Sequence, residues 1–378
     1  MSVLKKTSIT ILFCLMSLVT FAQKNDTTFV CQFSVYEDAT LELDFQYTDL
    51  NIVSADNDSL KIETHINVTR TNTSTAFGDV ELYSTQSYDS LSVKAGVVFG
   101  NDFINYNEFK STCTIAVPKE INLKINSRFG IVNINTAVGA VSANIDYVNF
   151  NSVSLSDAHS HKFVANYSTI DIENCNSEFT LKGTNNNFSC GTVDKLIADT
   201  KFSFVHVYNC KELNAKSYTD RFLLANSDSV HINSEKSTFV VHVNGFIQSE
   251  MLHGRLCLQN IKPSFNTINI ANQYTKTSLN FDPECEFLIN ADMRYCQLKS
   301  EVNTFKYNDS ISITEMKSLS KIVPATETMT LNEIISPNGA QYSGYYGDNT
   351  DPSSKVSIVS SNSDVIVSFD RIIEFRNE

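Results

Sequence analysis

The chain has 378 residues, enough for two ordinary domains or one long solenoid; at 42% hydrophobic and 19% charged it does not have a disordered composition. It has no Trp, 12 Gly and 6 Pro, and its 15 Tyr and 25 Phe are set among Asn, Ser, Thr, Val and Ile, a mixture that suits strands and tight corners rather than helices. A net charge of −13 argues against nucleic acid and anionic lipid as partners, and its plain consequence is solubility.

Residues 1–22 read as a secretory signal. Lys5 and Lys6 form the basic start, Ile9 to Phe21 the apolar run, and Thr20-x-Ala22 a small-x-small cleavage site. Loss of the two lysines takes the charge from −13 to −15. No later stretch approaches the ~18 apolar residues of a membrane span. The expected location is therefore exported: periplasmic, associated with the outer membrane, or extracellular. Eight cysteines remain after cleavage: Cys31, Cys113, Cys175, Cys190, Cys210, Cys257, Cys285 and Cys296. An exported chain permits disulfides, but these spacings contain no CxxC and no zinc pattern. Cys175 and Cys210 each follow a strand end by three residues, at equivalent corners two rungs apart, about 9–10 Å. That is too far for a bridge. Buried free thiols are the favoured reading.

Residues 23–120 form a strand-rich region, a cap or the first rungs. Leu41-Glu-Leu-Asp-Phe45 alternates cleanly; Leu50–Val53 and Leu60–Val68 continue the pattern, with Asp56-Asn-Asp58 as a turn. Val80–Leu82, Leu91–Val93 and Phe109–Val117 read as further strands, and Phe99–Tyr106 as a loop.

From 121 to 299 the chain repeats, first at Leu123–Ile125 and Phe129–Ile134, most clearly from Val164 to Leu258. Leu155, Ile172, Cys190, Val207, Leu224, Val241 and Leu258 step by 17 or 18 residues. A second series, Ala165, Leu181, Ala198, Ala215, Ile232 and Gln248, steps by 16 or 17. Two columns sharing one period define rungs that cannot bury their apolar face alone and must stack. The predicted fold is all-β: a single-stranded parallel β-helix with about 17 residues per rung and an N-terminal strand-rich cap, about 45–50 Å long at ten rungs. Asn at the corners tolerates the left-handed conformation and spares Gly. Asn185-Asn-Asn187 reads as a bulged rung. After Leu258 the step widens to Phe281 and returns to 17 at Leu298. Residues 300–340 read as an irregular insertion. Residues 341–378 read as a closing β unit and tail, with Gly344-Tyr-Tyr-Gly347 as a turn.

The units Asn166–Ile172, Lys201–Val207 and Phe281–Phe287 resemble the rungs of adhesin-type domains from envelopes of Bacteroidetes-type bacteria. Their shared pattern is aromatic, Ser or Gly, any residue, aliphatic, any residue, aliphatic. Tyr342–Gly347 followed by Lys355–Ile358 is similar to that family's closing unit. The resemblance implies a β-helix and carries no catalytic residues.

Candidate chemistry is sparse. His159-Ser-His161 is a possible metal pair with only Asp157 nearby, and an exposed loop explains it as well. His206, His231 and His242 alternate outward from the core in separate columns. β-Helix enzymes that cleave polysaccharides bring carboxylates from adjacent rungs together. Asp146, Asp157, Asp171, Asp194, Asp220 and Asp228 are read at different phases of the repeat. No catalytic residue, no metal ligand and no cofactor is therefore assigned. The expected function is non-enzymatic: an adhesin, or a binding or structural element of the envelope, with an unidentified envelope protein or a glycan as partner. The alternatives are a carbohydrate-active β-helix enzyme with its site at 300–340, and a sensor of envelope state. The outward Thr, Ser, Asn and Tyr ladders are the candidate recognition surface.

Overall fold

The computed structural model describes residues 26–36, 39–55, 59–68, 80–87, 92–99, 109–300, 330–336, 338–347, 349 and 351–369. The signal reading at 1–22, the loop at Phe99–Tyr106 for the most part, and most of the 300–340 stretch lie outside these residues. The described residues form strands and turns with no helix, joined in one continuous sheet.

The centre is a parallel coil. Its full turns are Thr169–Thr184, Asn187–Lys201, Phe204–Tyr218, Arg221–Glu235 and Thr238–Leu252, each bonded to the next in register. One turn shows how alternation becomes a closed coil. Phe188, Cys190, Val193, Leu196, Ala198 and Thr200 point inward, at steps of two, three, three, two and two. Steps of two are flat strand; the two steps of three bend the chain around its core while the ladder continues. The interior is apolar, with Phe150, Phe163, Phe179 and Phe188 in successive ring contact at 4.8–5.2 Å.

The predicted column holds from Ile172 through Cys190, Val207, Leu224 and Val241 to Leu258. Leu155 is not part of it: Ser152 faces Ile172, and Leu155 turns into the core beyond the strand end. In the second column Leu181, Ala198, Ala215 and Ile232 are aligned, but Ala165 faces Gly183 and Ile232 faces Ser249. Register shifts at Cys175/Glu178 and between Leu224 and Ser229 accompany these departures. Asn185-Asn-Asn187 is no bulge; its corner is bonded like its neighbours.

The ends do not follow chain order. Thr40–Gln46 and Thr48–Ser54 pair with Asn122–Ile134 on one side and with Ser92–Phe99 and Phe109–Val117 on the other, all parallel. Ser59–Val68 and Val80–Gln86 then add antiparallel to that outer layer, and Asp26–Ser34 adds to Ser59–Val68. At the other end Lys355–Ser361 and Val365–Ser368 lie between the turn at Thr267–Phe281 and the turn at Phe287–Ser300. The last unit in sequence is thus internal in space, and Phe281 and Leu298 are not on adjacent rungs. Gly339–Tyr346 pairs antiparallel with Phe287–Arg294 and with Thr330–Ser336. Residues 330–336 and 339–340 are therefore regular strand, as are 344–346 where a turn was expected. Phe281 is buried among Phe265, Phe287 and Phe369, so the unit at 281–287 does not share the corner motif of 167–172.

Candidate binding site along the corner column

Each coil turns sharply at one residue with positive φ, and among the described residues every non-glycine residue of this kind apart from Glu120 and Asn260 falls at that corner. In spatial order they are Tyr47, Phe129, Tyr147, Tyr167, Asn185, Phe202, Thr219, Lys236, His253, Tyr274, Asn362 and Tyr295. An aromatic or polar corner is what the repeat predicts, while the left-handed conformation is expected of Asn; the quoted aromatic-Ser/Gly pattern marks this position. Aromatic rings hold most of it. Tyr47, Phe129, Tyr147 and Tyr167 stack face to face with centroids 4.7, 5.1 and 4.8 Å apart. His253 stacks on Tyr274 at 4.8 Å. Phe129, Tyr147, Tyr167, Phe202, Tyr274 and Tyr295 are between 42% and 68% exposed.

The next residue holds the corner shut. Ser168 Oγ accepts from Val148 N–H, Asn186 Oδ1 from Ser168 N–H, Ser203 Oγ from Asn186 N–H, Asp220 Oδ1 from Ser203 N–H, and Ser237 Oγ from Asp220 N–H. The same hydroxyls donate back across the left-handed residue: Ser168 to Asn166 O, Ser203 to Lys201 O, and Ser237 to Glu235 O. This internal ladder satisfies backbone groups that the turn would otherwise orphan. Asp220 is its one carboxylate. It is 4% exposed and also accepts from Thr200 Oγ1 at 2.9 Å and Tyr218 N–H at 3.2 Å. Burial raises its pKa above the ordinary carboxylate value, and these hydrogen bonds partly offset the rise.

Asn185 interrupts the rings between Tyr167 and Phe202. An open groove of about 580 Å³ lies there, spanning the corners from Tyr167 to Asp220. A second, of about 380 Å³, runs beside it along Lys201, Tyr218 and Glu235.

His161 is buried, not on an exposed loop. Its Nδ1 accepts from Val141 N–H at 3.2 Å and its Nε2 donates to Ser156 O at 3.0 Å, which fixes a neutral tautomer. Burial lowers its pKa. His159 instead meets Ser156 Oγ, so the two imidazoles do not converge. His206 is exposed; His231 and His242 are half-buried and stand apart. Asp146 meets Arg128 and Asn166, Asp157 meets Asn176, and Asp171 is exposed on the wall. Asp194 and Asp228 do share a phase, 34 residues or two coils apart, contrary to the sequence reading. Lys211 lies between them and bonds Asp194 at 2.7 Å, so they belong to an alternating charge ladder on a bend. Glu178, Lys195 and Glu212 form another beside it. Neither pair of acids lines either of these two grooves; the second groove is instead lined by Asp199 and Glu235. Among the described residues no three His, Cys, Asp or Glu side chains gather as a metal site, and no helix is long and apolar enough to cross a membrane.

The eight cysteines among the described residues are free, six of them buried. Cys175, Val193 and Cys210 stack in that order, as the spacing predicts. Burial pushes the Cys113, Cys210 and Cys285 thiols up to about 12.

No family model matches the chain, and no curated protein does. Among solved structures, a putative cell adhesion protein from Clostridium sporogenes aligns over 91% of this chain and 100% of its own, with 9% identity and a TM-score of 0.21. A putative adhesin from Parabacteroides merdae aligns over 68% of this chain and 88% of its own, with 12% identity and a TM-score of 0.31. At such TM-scores the likeness decides neither fold nor function.

Proposed function

We propose that the chain is an exported, non-enzymatic β-solenoid that works by surface recognition, as an adhesin or as a binding element of the cell envelope. The observation that carries this reading is the corner column. A left-handed corner suits Gly or Asn, yet Phe and Tyr fill it and present their rings to water. Exposed aromatics in a fixed row are the side chains that surfaces use to bind through large area at small entropic cost. The ring row is rigid because the backbone ladder beneath it is rigid. The buried carboxylate at the corner is locked by donors, the wall acids Asp194, Glu178 and Glu212 are ion-paired with lysines, and Asp199 and Glu235, which line the second groove, stand on coils two apart; this favours recognition over bond cleavage.

The test uses residues 23–378 on whole cells and on a glycan array. Saturable binding is expected, and Tyr147→Ser with Tyr167→Ser should weaken it about tenfold or more while the far-UV circular dichroism is unchanged. Release of new reducing ends or unsaturated sugars from any bound polysaccharide would refute the non-enzymatic reading. Binding that is indifferent to the double substitution would refute the role of the column.

A further inference from the structure

Tyr47, Phe129, Tyr147 and Tyr167 stack with a near-constant repeat that stops at Asn185, the first of four corners without a ring, the others being Thr219, Lys236 and Asn362. Tyr147 covers one face of Tyr167 at 4.8 Å with planes 4° apart. The opposite face of Tyr167 is turned toward the Asn185 coil. Phe202 occupies the equivalent corner on the next coil, two strand spacings from Tyr167, or about 9.6 Å, and its ring meets the Tyr218 ring edge-on at 5.7 Å. Removing one ring from a stack of ~4.8 Å repeat leaves room for one ring at that distance from each wall. The width admits a flat or a puckered ring alike, because the flat rings of Tyr147 and Tyr167 keep the same 4.8 Å centroid spacing, so the rim decides between them. The edge of the slot is polar: Thr169, Asn185, Asn187 and Arg221 line the same groove. Such groups match hydroxyls around a ring and have nothing to offer a bare hydrocarbon edge. The acidic character of the chain disfavours an anionic guest. The groove of about 580 Å³ continues past Phe202 to Asp220, longer than one ring requires.

We propose that the gap at Asn185, between Tyr167 and Phe202, is a carbohydrate subsite that takes one neutral pyranose of a longer glycan. The subsite rests on the surface-recognition reading and specifies its ligand. Aromatic contact with the apolar faces of the sugar supplies affinity, and the polar rim selects its hydroxyl pattern.

Asn185→Tyr is the decisive variant. Tyr occupies equivalent left-handed corners at 47, 147, 167 and 274, so the backbone accepts it, and the added ring completes the stack. The full mature chain, residues 23–378, is titrated calorimetrically with neutral β-1,4-glucose, β-1,4-mannose and α-1,6-mannose hexasaccharides. Wild type is expected to bind at least one. Asn185→Tyr should keep or raise the Tm and lose about tenfold or more in affinity, and Phe202→Ala should lose a similar factor. Equal binding by Asn185→Tyr overturns the subsite. Absence of hexasaccharide binding overturns it too, while persisting whole-cell binding would leave the wider reading standing. Displacement of bound hexasaccharide by a flat naphthyl ligand at lower concentration than by free sugar would overturn the assignment of a saturated ring.

Discussion

A left-handed backbone costs an L-residue with a full side chain about 1–2 kcal/mol. Offset stacking of two rings returns about 0.5–1.5 kcal/mol. At Phe129 and Tyr147, stacked on both sides, the two effects nearly cancel. Asn185 has less to offset, because Asn tolerates this conformation. Asp220 is the other residue whose local chemistry leaves a measurable mark. Its folded pKa is raised, chiefly by burial, so the protonated form is the one the fold favours. Its contribution to stability is therefore complete below the unfolded carboxylate value and is lost as pH rises through the folded value. Two coils earlier Asn186 occupies the same ladder position, accepting from Ser168 N–H and donating to Ala165 O. Asp220→Asn should therefore fold, within about 1 kcal/mol of wild type in acid. Thermal melts of both proteins from about pH 3 to pH 7 should show the variant gaining on wild type as pH rises. A constant difference across that range would mean that Asp220 titrates as it does in the unfolded chain.

At the scale of one coil, backbone geometry sets the sharpest limits. Gly183 has φ +137° and faces Ala165, where a Cβ would lie 1.7 Å from the Ala165 carbonyl oxygen. Gly183→Ala should cost about 3 kcal/mol or more. Lys182→Ala, on the exposed neighbour, should stay within about 0.5 kcal/mol of wild type. Urea midpoints at constant slope separate the two. The same place shows what could be read from the sequence. The column from Ile172 to Leu258 was legible because burial repeats once per coil and each of those coils has a near-constant length. Ala165 was misplaced because the coil after it carries an extra residue at 175–178, which puts its partner 18 residues on, at Gly183. Gln248 was misplaced by one although the 17-residue step holds, because the shifts between Leu224 and Ser229 cancel and the partner of Ile232 is the polar Ser249. The corner column was half legible. Its aromatic-Ser/Gly motif was visible in Tyr167-Ser168 and Phe202-Ser203, but a motif does not report the sign of φ. The gap at Asn185 gains meaning only once Tyr167 and Phe202 are known to occupy equivalent corners on the coils either side of it.

Across the whole molecule, both ends are closed by strands placed out of chain order. Thr40–Ser54 is held between the strands Ser92–Phe99 and Phe109–Val117 on one side and Asn122–Ile134 on the other, and Lys355–Ser368 between the turns at 267–281 and 287–300. A simple repeat frays from its tip, one coil at a time. Here, among the described residues, strand pairing joins the outer coil at 287–300 to the coil at 267–281 only through the last strands, although the Phe281 and Phe287 rings stack directly at 4.4 Å. Val356, Ile358, Val365 and Val367 are at most 1% exposed, and Phe369 lies 4.0 Å from the Tyr346 ring. Nothing in a 17-residue period announces such an insertion, because periodicity records spacing along the chain and not the order of pairing in space. Truncation after Ser354 should therefore open the ladder inside the molecule. Hydrogen exchange on the truncated protein should lose protection at 276–300 and 339–346 while 187–235 stays protected. Adding back a peptide of residues 350–370 should restore it, since the vacated position presents unpaired strand edges on both sides. If 287–294 remained protected in the truncated chain without peptide, the outer coil would be held by Gly339–Tyr346 alone, and the last strands would be an ornament rather than the link between the end and the rod.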